Sequence, residues 1–121
     1  MSETDKKITL AQAKTWTSQW RDTPESNCRA FLLPLEDLQG AIDEIKNQGG
    51  NPCARVYLGI DDTNTEKLIV VGTTQESDGK GGTIYRDLLP NDDGYGTNGN
   101  SLWDFSKPCP PWCDANSALN Q

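Results

Sequence analysis

Cys109 and Cys113 are the two residues whose type and spacing point most directly to chemistry. They lie in the segment Lys107-Pro-Cys-Pro-Pro-Trp-Cys113 and are separated by three residues. Two thiols this close can form a disulfide if the backbone brings their Cα atoms within about 7 Å of each other. The thioredoxin-type motif has two intervening residues instead of three, so the spacing weighs against that catalytic motif. A thiol redox protein that uses Cys109 and Cys113 is therefore an alternative hypothesis.

The cysteines also suggest a structural zinc site, since four thiolates can bind one zinc ion. The candidate ligands are Cys28, Cys53, Cys109 and Cys113. Paired zinc ligands usually have about two to four residues between them. Three residues separate Cys109 from Cys113, whereas 24 separate Cys28 from Cys53. Zinc is thus a second form of the alternative hypothesis. The competing interpretation is that the cysteines are small core residues and that Trp112 closes a proline-stiffened tail.

Histidine is missing from the chain, and its absence excludes several classes of enzyme. Ser-His-Asp and Cys-His catalysis both need an imidazole that titrates near neutral pH. Zinc enzymes with histidine ligands are excluded for the same reason. The other residues form no complete catalytic motif. We therefore predict that the protein is not an enzyme and has no cofactor beyond the zinc of the alternative hypothesis.

The charge and the apolar runs of the chain restrict its partners. The net charge is −7 over 121 residues, and the longest basic run is Lys6-Lys7. This balance argues against a nucleic-acid surface or an anionic membrane surface. The longest apolar runs, 30–33 and 68–71, are much too short to span a membrane. Because no signal peptide follows the first lysines, we expect a cytoplasmic protein with no membrane and no nucleic-acid partner.

Two amphipathic helices are predicted. Thr9 and Gln12 have the spacing of a capping box, and an apolar stripe through Ala13 and Trp16 follows it. Pro34 suits the first turn of a second helix. Its apolar positions repeat with helical spacing, and the acids and Lys46 are expected on the opposite side. That second stripe consists of Leu35, Leu38, Ala41, Ile42 and Ile45.

Four strands are predicted, over 28–33, 54–60, 66–74 and 84–89. The short turn-rich segment 61–65 indicates an antiparallel hairpin between the second and third of them. The expected fold class is α+β, an antiparallel sheet of three to five strands with two helices packed on one face. Residues 8–113 would form this single domain, between a disordered start at 1–7 and a frayed end at 114–121.

Several segments resemble those of a group of small bacterial proteins, found mainly in Bacteroidetes, that has no assigned activity. The segments are Ile8-Thr-Leu-Ala-Gln-Ala-Lys-Thr-Trp16, Arg29-Ala-Phe-Leu-Leu33, Arg55-Val-Tyr-Leu-Gly59, Leu68-Ile-Val-Val-Gly72 and Asp104-Phe-Ser-Lys-Pro-Cys-Pro-Pro-Trp-Cys113. The C-P-P-x-C ending is the distinctive part. The resemblance covers residues 8–113; it implies one bacterial domain and no mechanism.

The polar loops carry the main functional hypothesis. Long polar loops on a small scaffold are typical of binding surfaces. We therefore expect a non-enzymatic module that binds another protein or a small molecule through the loops 61–65 and 75–83, together with Arg55 and Tyr57 if one sheet face is open. The candidate residues are Arg55, Tyr57, Asp61, Asp62, Asp78 and Lys80.

Overall fold

Two α-helices and seven strands make up the residues that the computed structural model describes, 7–22, 28–90 and 99–120. The elements are β1 (Lys7–Ile8), α1 (Leu10–Arg21), β2 (Ala30–Leu32), α2 (Leu35–Lys46), β3 (Cys53–Ile60), β4 (Glu66–Ser77), β5 (Thr83–Asp87), β6 (Leu102–Trp103) and β7 (Lys107–Cys109). Lys7, expected in a disordered start, instead lies in β1. Residues 1–6 lie outside the described residues.

The long strand β4 is the centre of a five-stranded antiparallel sheet. The strand β3 pairs with its first part, from Ile60 opposite Glu66 to Cys53 opposite Thr73. Thr73 also pairs with Asp87, so β5 lies along the other edge of β4, as does β6 at Val70. The strand β1 pairs with β6. The expected α+β class, the antiparallel sheet and the β3–β4 hairpin are confirmed.

The two helices pack on opposite faces of this sheet, not on one face as expected. Helix α1 contributes Ala13 and Trp16 to a cluster with Ile69 and Val71. Helix α2 packs against Val70, whose side chain projects to the other face because successive residues of a strand alternate. All three residues from Ile69 to Val71 are buried, at 6% exposure or less. A strand that is apolar at every position needs a cover on both faces, and each helix supplies one.

The strand β3 alternates between apolar and polar residues, but its apolar residues Val56 and Leu58 are not buried. Arg55 and Tyr57 share the face of their partners Val71 and Ile69, which is the face that α1 covers. Val56 and Leu58, on the other face, are 49% and 44% exposed. Tyr57, on the α1 side, is itself 39% exposed, so side chains on both faces of β3 reach the surface.

Helix α1 begins with the predicted capping box. The backbone N–H of Gln12 donates to the Thr9 hydroxyl (3.1 Å), and the N–H of Thr9 donates to Gln12 Oε1 (2.9 Å). Trp16, one turn further, lies against Gly59 of β3. A β-carbon at Gly59 would be 3.0 Å from Cβ of Trp16. The absence of a side chain at Gly59 therefore sets how closely α1 approaches the sheet.

Helix α2 buries only part of the predicted stripe, with Leu38 packed against the buried cluster of Ala41 and Ile45. Ala41 and Ile45 are buried, but Leu35 is 78% and Ile42 38% exposed. Glu44, expected on the solvent side, turns inward instead. Its carboxylate accepts hydrogen bonds from the N–H of Ser101 (2.9 Å), the Ser101 hydroxyl (2.7 Å) and the indole of Trp103 (3.4 Å), and it pairs with Lys7 (3.7 Å). One partly buried acid therefore joins α2 to β6 and β1.

A second, two-stranded sheet carries the cysteine-rich tail. The strand β2 pairs with β7, so that Ala30 lies opposite Cys109 and Leu32 opposite Lys107. The side-chain hydroxyl of Ser106, just before β7, accepts a hydrogen bond from Leu68 N–H of β4 (2.8 Å). A strand within the predicted range 28–33 is thus confirmed over Ala30–Leu32 only, and its partner is the tail. Ala118–Asn120 form a 3₁₀ turn, and the frayed end at 114–121 stays a prediction.

Candidate functional site

The most organised polar group at the sheet surface is formed by Arg55, Tyr57 and Asp87. Arg55 donates to Asp87 Oδ1 (2.6 Å) and to the carbonyl oxygen of Tyr85 (2.9 Å). The Tyr57 hydroxyl donates to Asp87 Oδ2 (2.5 Å). Since β3 and β5 pair with opposite edges of β4, both side chains of β3 cross over β4 to reach the carboxylate. They cover Val71, which is completely buried.

The shared carboxylate shifts the protonation equilibria of both partners. Its hydrogen bond with Tyr57, together with partial burial of the ring, raises the pKa of the phenol above the ordinary value. Its hydrogen bond and its charge also raise the pKa of the Arg55 guanidinium. Tyr57 therefore stays protonated and Arg55 charged around neutral pH. The group is a fixed array of donors and acceptors, and neither side chain is poised to transfer a proton.

An apolar pocket of about 220 Å³ opens beside this polar group, between α1 and the sheet. We call it the α1 pocket. Its lining residues are Leu10, Ala13, Lys14, Thr17, Tyr57, Ile69, Asp87, Leu89 and Leu102. The walls are mainly aliphatic, whereas Tyr57 and Asp87 place a hydroxyl and a carboxylate at one side. This combination of an apolar body and a few fixed polar atoms is typical of small-molecule sites.

The other four candidate binding residues lie far from the α1 pocket, at the two ends of β4. Asp61 begins the β3–β4 turn, and its Oδ1 accepts from the N–H groups of Thr63 (2.9 Å) and Thr65 (3.0 Å). Asp62 is exposed next to it. Asp61 thus shapes its own loop, because its Oδ1 holds the backbone of Thr63 and Thr65. Turn chemistry of this kind is the usual role of aspartate in short loops.

Asp78 repeats the same arrangement in the β4–β5 hairpin. Its Oδ1 accepts from the N–H groups of Lys80 (2.7 Å) and Gly82 (3.0 Å). These backbone donors hold the pKa of the Asp78 carboxyl below its ordinary value. The six predicted residues therefore do not form one surface. The fold brings Arg55 and Tyr57 together and places the Asp61–Asp62 and Asp78–Lys80 pairs in two separate turns.

Of the residues that line the α1 pocket, only Tyr57 was predicted as a site residue. Asp87 and Leu89 were assigned only to a strand, and Lys14 was given no role. One feature of the sequence indicates an acid near Arg55 and Tyr57. The two residues are two apart and share one strand face, so a single acceptor can bond to both. Which acid supplies it depends on strand order, and the sequence pattern does not specify that order.

The tail sulfurs are joined. Cys109 and Cys113 form a disulfide with their Cα atoms 4.8 Å apart. Cys109 is 4% exposed, whereas Cys113 lies at the surface. Trp112, predicted to close the tail onto the core, is 53% exposed and instead stacks beneath the ammonium group of Lys107, 4.5 Å from its ring centre. The tail is thus held by the disulfide and the β2–β7 pairing, and not by the tryptophan.

The four cysteines do not converge on one point. Cys53 lies opposite Thr73 of β4. Cys28 is close enough to Glu66 for its charge to act on the thiol, and Glu66 is seven residues from Thr73 along the strand. Seven residues of strand span about 23 Å. With Cys109 and Cys113 bonded to each other, the described residues contain no group of three or more cysteine or acidic side chains placed to hold a metal ion.

Comparisons with protein-family models, with curated protein sequences and with solved structures find no match for this chain. The resemblance to the bacterial group with a C-P-P-x-C ending therefore stays a prediction. Within the described part of the chain, neither helix is long and apolar enough to cross a membrane. The cytoplasmic location also stays a prediction, and a disulfide is a feature more often found in oxidising compartments.

Proposed function

We propose that this protein is a non-enzymatic binding module that holds a small apolar molecule with one hydroxyl group in the α1 pocket. The observation that carries the proposal is the position of the Tyr57–Asp87 hydrogen bond at the side of an otherwise aliphatic cavity. Burial of the apolar part of the ligand against these walls stabilises the complex. A hydrogen bond to the Tyr57–Asp87 pair would fix the orientation of the ligand.

The volume limits the size of the ligand. A cavity of about 220 Å³ corresponds to about seven waters, each occupying roughly 30 Å³. It is smaller than the usual range for drug-sized ligands, about 300–1,000 Å³. A single aromatic ring or a short branched chain fits these dimensions. A nucleotide or a peptide does not.

The polar side of the pocket defines the functional group. An ionised carboxylate has about four lone-pair sites, and Arg55 and Tyr57 use two of those on Asp87. An additional donor, such as a hydroxyl, can therefore bond to Asp87 without displacing either partner. A second carboxylate at this position would be repelled. Uncharged donors are thus favoured over acids.

The test uses 4-fluorophenol as the probe, with fluorobenzene for comparison. Fluorine NMR of the probe in the presence of the full-length protein reports binding, and amide shifts of the labelled protein report the location. We expect 4-fluorophenol to bind more tightly than fluorobenzene and to perturb amides of Leu10, Ala13 and Leu102. Shifts that cluster elsewhere, or equal affinity for both probes, would overturn the proposal.

A matched pair of variants sharpens the test. Thr17 lines the pocket, whereas Thr15, two residues away on α1, is exposed. Thr17→Phe places a ring in the cavity and should weaken the binding of 4-fluorophenol at least about tenfold, the equivalent of 1.4 kcal/mol. Thr15→Phe adds the same ring outside the cavity and should leave the affinity unchanged. Equal effects from both would show that the probe binds at another place.

A second candidate function, thiol–disulfide exchange, is supported by the bond between Cys109 and exposed Cys113. An external thiol can reach the Cys113 sulfur and take over its bond, which releases the Cys109 thiolate. Intact mass and peptide mapping in a glutathione redox buffer test this candidate. We expect the loss of two hydrogens, located in the tail peptide and reversed by reductant. A tail that stays reduced under oxidising conditions would exclude this function.

A further inference from the structure

Cys28 lies beside the disulfide, although 80 residues of sequence separate it from Cys109. It stands two residues before Ala30, which pairs with Cys109. The N–H of Arg29 donates to the carbonyl oxygen of Cys109 (2.8 Å), which ties the segment before β2 to the tail. The Cys28 thiol donates to the carbonyl oxygen of Ala30 (3.4 Å) and also contacts the backbone of Cys109. The pairing of β2 with β7 thus brings a thiol next to a disulfide.

The β2–β7 register places Cys28 diagonally to Cys109. Ala30 and Cys109 are directly paired, and Cys28 stands two residues before Ala30. Diagonal neighbours of this kind have Cα atoms about 7–8 Å apart and Cβ atoms somewhat closer, whereas a disulfide needs Cβ atoms about 4 Å apart. Cys28 precedes the paired residues of β2. Bond formation therefore requires Cys28 to move toward Cys109.

We propose that Cys28, Cys109 and Cys113 form a three-cysteine exchange centre with two disulfide states. The Cys28 thiol loses its proton to water, and its sulfur attacks Sγ of Cys109. A Cys28–Cys109 bond forms as the Cys109–Cys113 bond breaks, and the electron pair leaves with Sγ of Cys113, which takes up a proton from water. The number of disulfides is unchanged, so the internal step needs no oxidant.

The consequence is a thiol that changes place. Cys113 is at the surface, whereas Cys109 is buried. In one state Cys113 is bonded to Cys109, and Cys28 carries the thiol. In the other state Cys113 is an exposed thiol, able to attack a disulfide of a small molecule or of another protein. This inference rests on the thiol candidate for the function of the tail and is independent of the α1 pocket.

The environment of Cys28 slows its attack on the tail disulfide. Burial raises the pKa of the Cys28 thiol, contacts with the backbone of Ala30 and Cys109 oppose this effect, and the charge of Glu66 adds to it. Because the thiolate is the attacking species, a raised pKa slows the internal step at neutral pH. The second state should therefore form slowly, and capture of Cys113 would hold the centre in it.

The decisive experiment uses Cys113→Ser together with Cys53→Ser, which removes the exposed and distant thiol. The full-length protein is oxidised with glutathione disulfide and mapped by mass spectrometry without reduction. We expect an internal bond between the peptides that contain Cys28 and Cys109. If the variant accumulates only glutathione adducts while the Cys53→Ser protein forms the Cys109–Cys113 bond, the exchange centre is wrong and the thiol candidate survives.

A matched variant and a second measurement keep the proposal testable if the Cys113→Ser, Cys53→Ser protein does not fold. Cys28→Ser with Cys53→Ser should keep the Cys109–Cys113 bond; if no bond forms there, the thiol candidate itself fails. In the oxidised Cys53→Ser protein, an alkylating reagent should label Cys113 as well as Cys28, at a rate set by the internal step. Labelling confined to Cys28 would overturn the exchange centre, since Cys113 would then never be released.

Discussion

The hydroxyl of Tyr57 donates a hydrogen bond to the carboxylate of Asp87 across the full width of the central strand. The two residues belong to β3 and β5, which pair with opposite edges of β4. The contact therefore joins three strands on the face that α1 covers, and it lies at the side of the α1 pocket. One hydrogen bond thus serves both the sheet and the proposed binding site.

The ionisation of Tyr57 provides a direct test of this contact. Because the pKa of Tyr57 is raised above its unfolded value, the stabilisation is complete below about pH 10 and is lost as the pH rises through the folded pKa. Ultraviolet titration should show one of the three phenols ionising late. Tyr57→Phe should remove that late phase, and Asp87→Asn should move it to lower pH. Tyr85→Phe, at the same 39% exposure, is the control and should retain it.

Glu44 should be the acid on α2 that matters most for stability. Glu44→Gln keeps the shape but weakens the bonds to Ser101 and Trp103 and the attraction to Lys7, so it should cost about 1–3 kcal/mol of unfolding free energy in urea. The control is Asp43→Asn on the same helix, which removes the same charge and keeps an acceptor for Gln39. It should change stability by less than about 0.5 kcal/mol. Equal losses would contradict the network.

The capping box predicts a local effect at the start of α1. Thr9→Ala removes the acceptor for the N–H of Gln12 and should destabilise the protein by about 1 kcal/mol in urea denaturation. Thr15→Ala, an exposed position within the same helix, is the matched change and should be neutral or slightly stabilising, because alanine has the higher helix propensity. A larger loss at Thr15 than at Thr9 would be inconsistent with the cap.

Two glycine positions should respond to alanine in opposite directions. At Gly59 the added β-carbon would be 3.0 Å from Cβ and 3.2 Å from the backbone carbonyl carbon of Trp16, so α1 must shift, at a cost of about 1–3 kcal/mol. At Gly40, within α2, the nearest atom is 3.6 Å away in the Trp103 ring. Gly40→Ala should therefore gain about 0.5–1 kcal/mol from reduced backbone entropy. Chemical denaturation of both variants measures the difference; a gain at Gly59 would refute the close approach of α1.

Local patterns in the sequence determined most of the secondary structure. The T-x-x-Q pattern at Thr9, the proline before α2 and the turn residues between β3 and β4 act over a few neighbouring residues, so their effect can be read directly. The α+β class followed from the order of these elements. The lack of histidine likewise restricted the chemistry before any fold was known.

Only the tertiary structure decided which surfaces meet. The opposite placement of the helices follows from burial on both faces of Ile69–Val71, and the inward turn of Glu44 follows from the position of Ser101 and Trp103. The partner of Arg55 and Tyr57 depends on β5 lying along β4, and the neighbour of Cys28 depends on β2 pairing with the tail. These contacts join residues about 30 to 80 positions apart. These contacts are stabilised by the assembled core, and a short stretch of sequence does not show which distant residues will meet there.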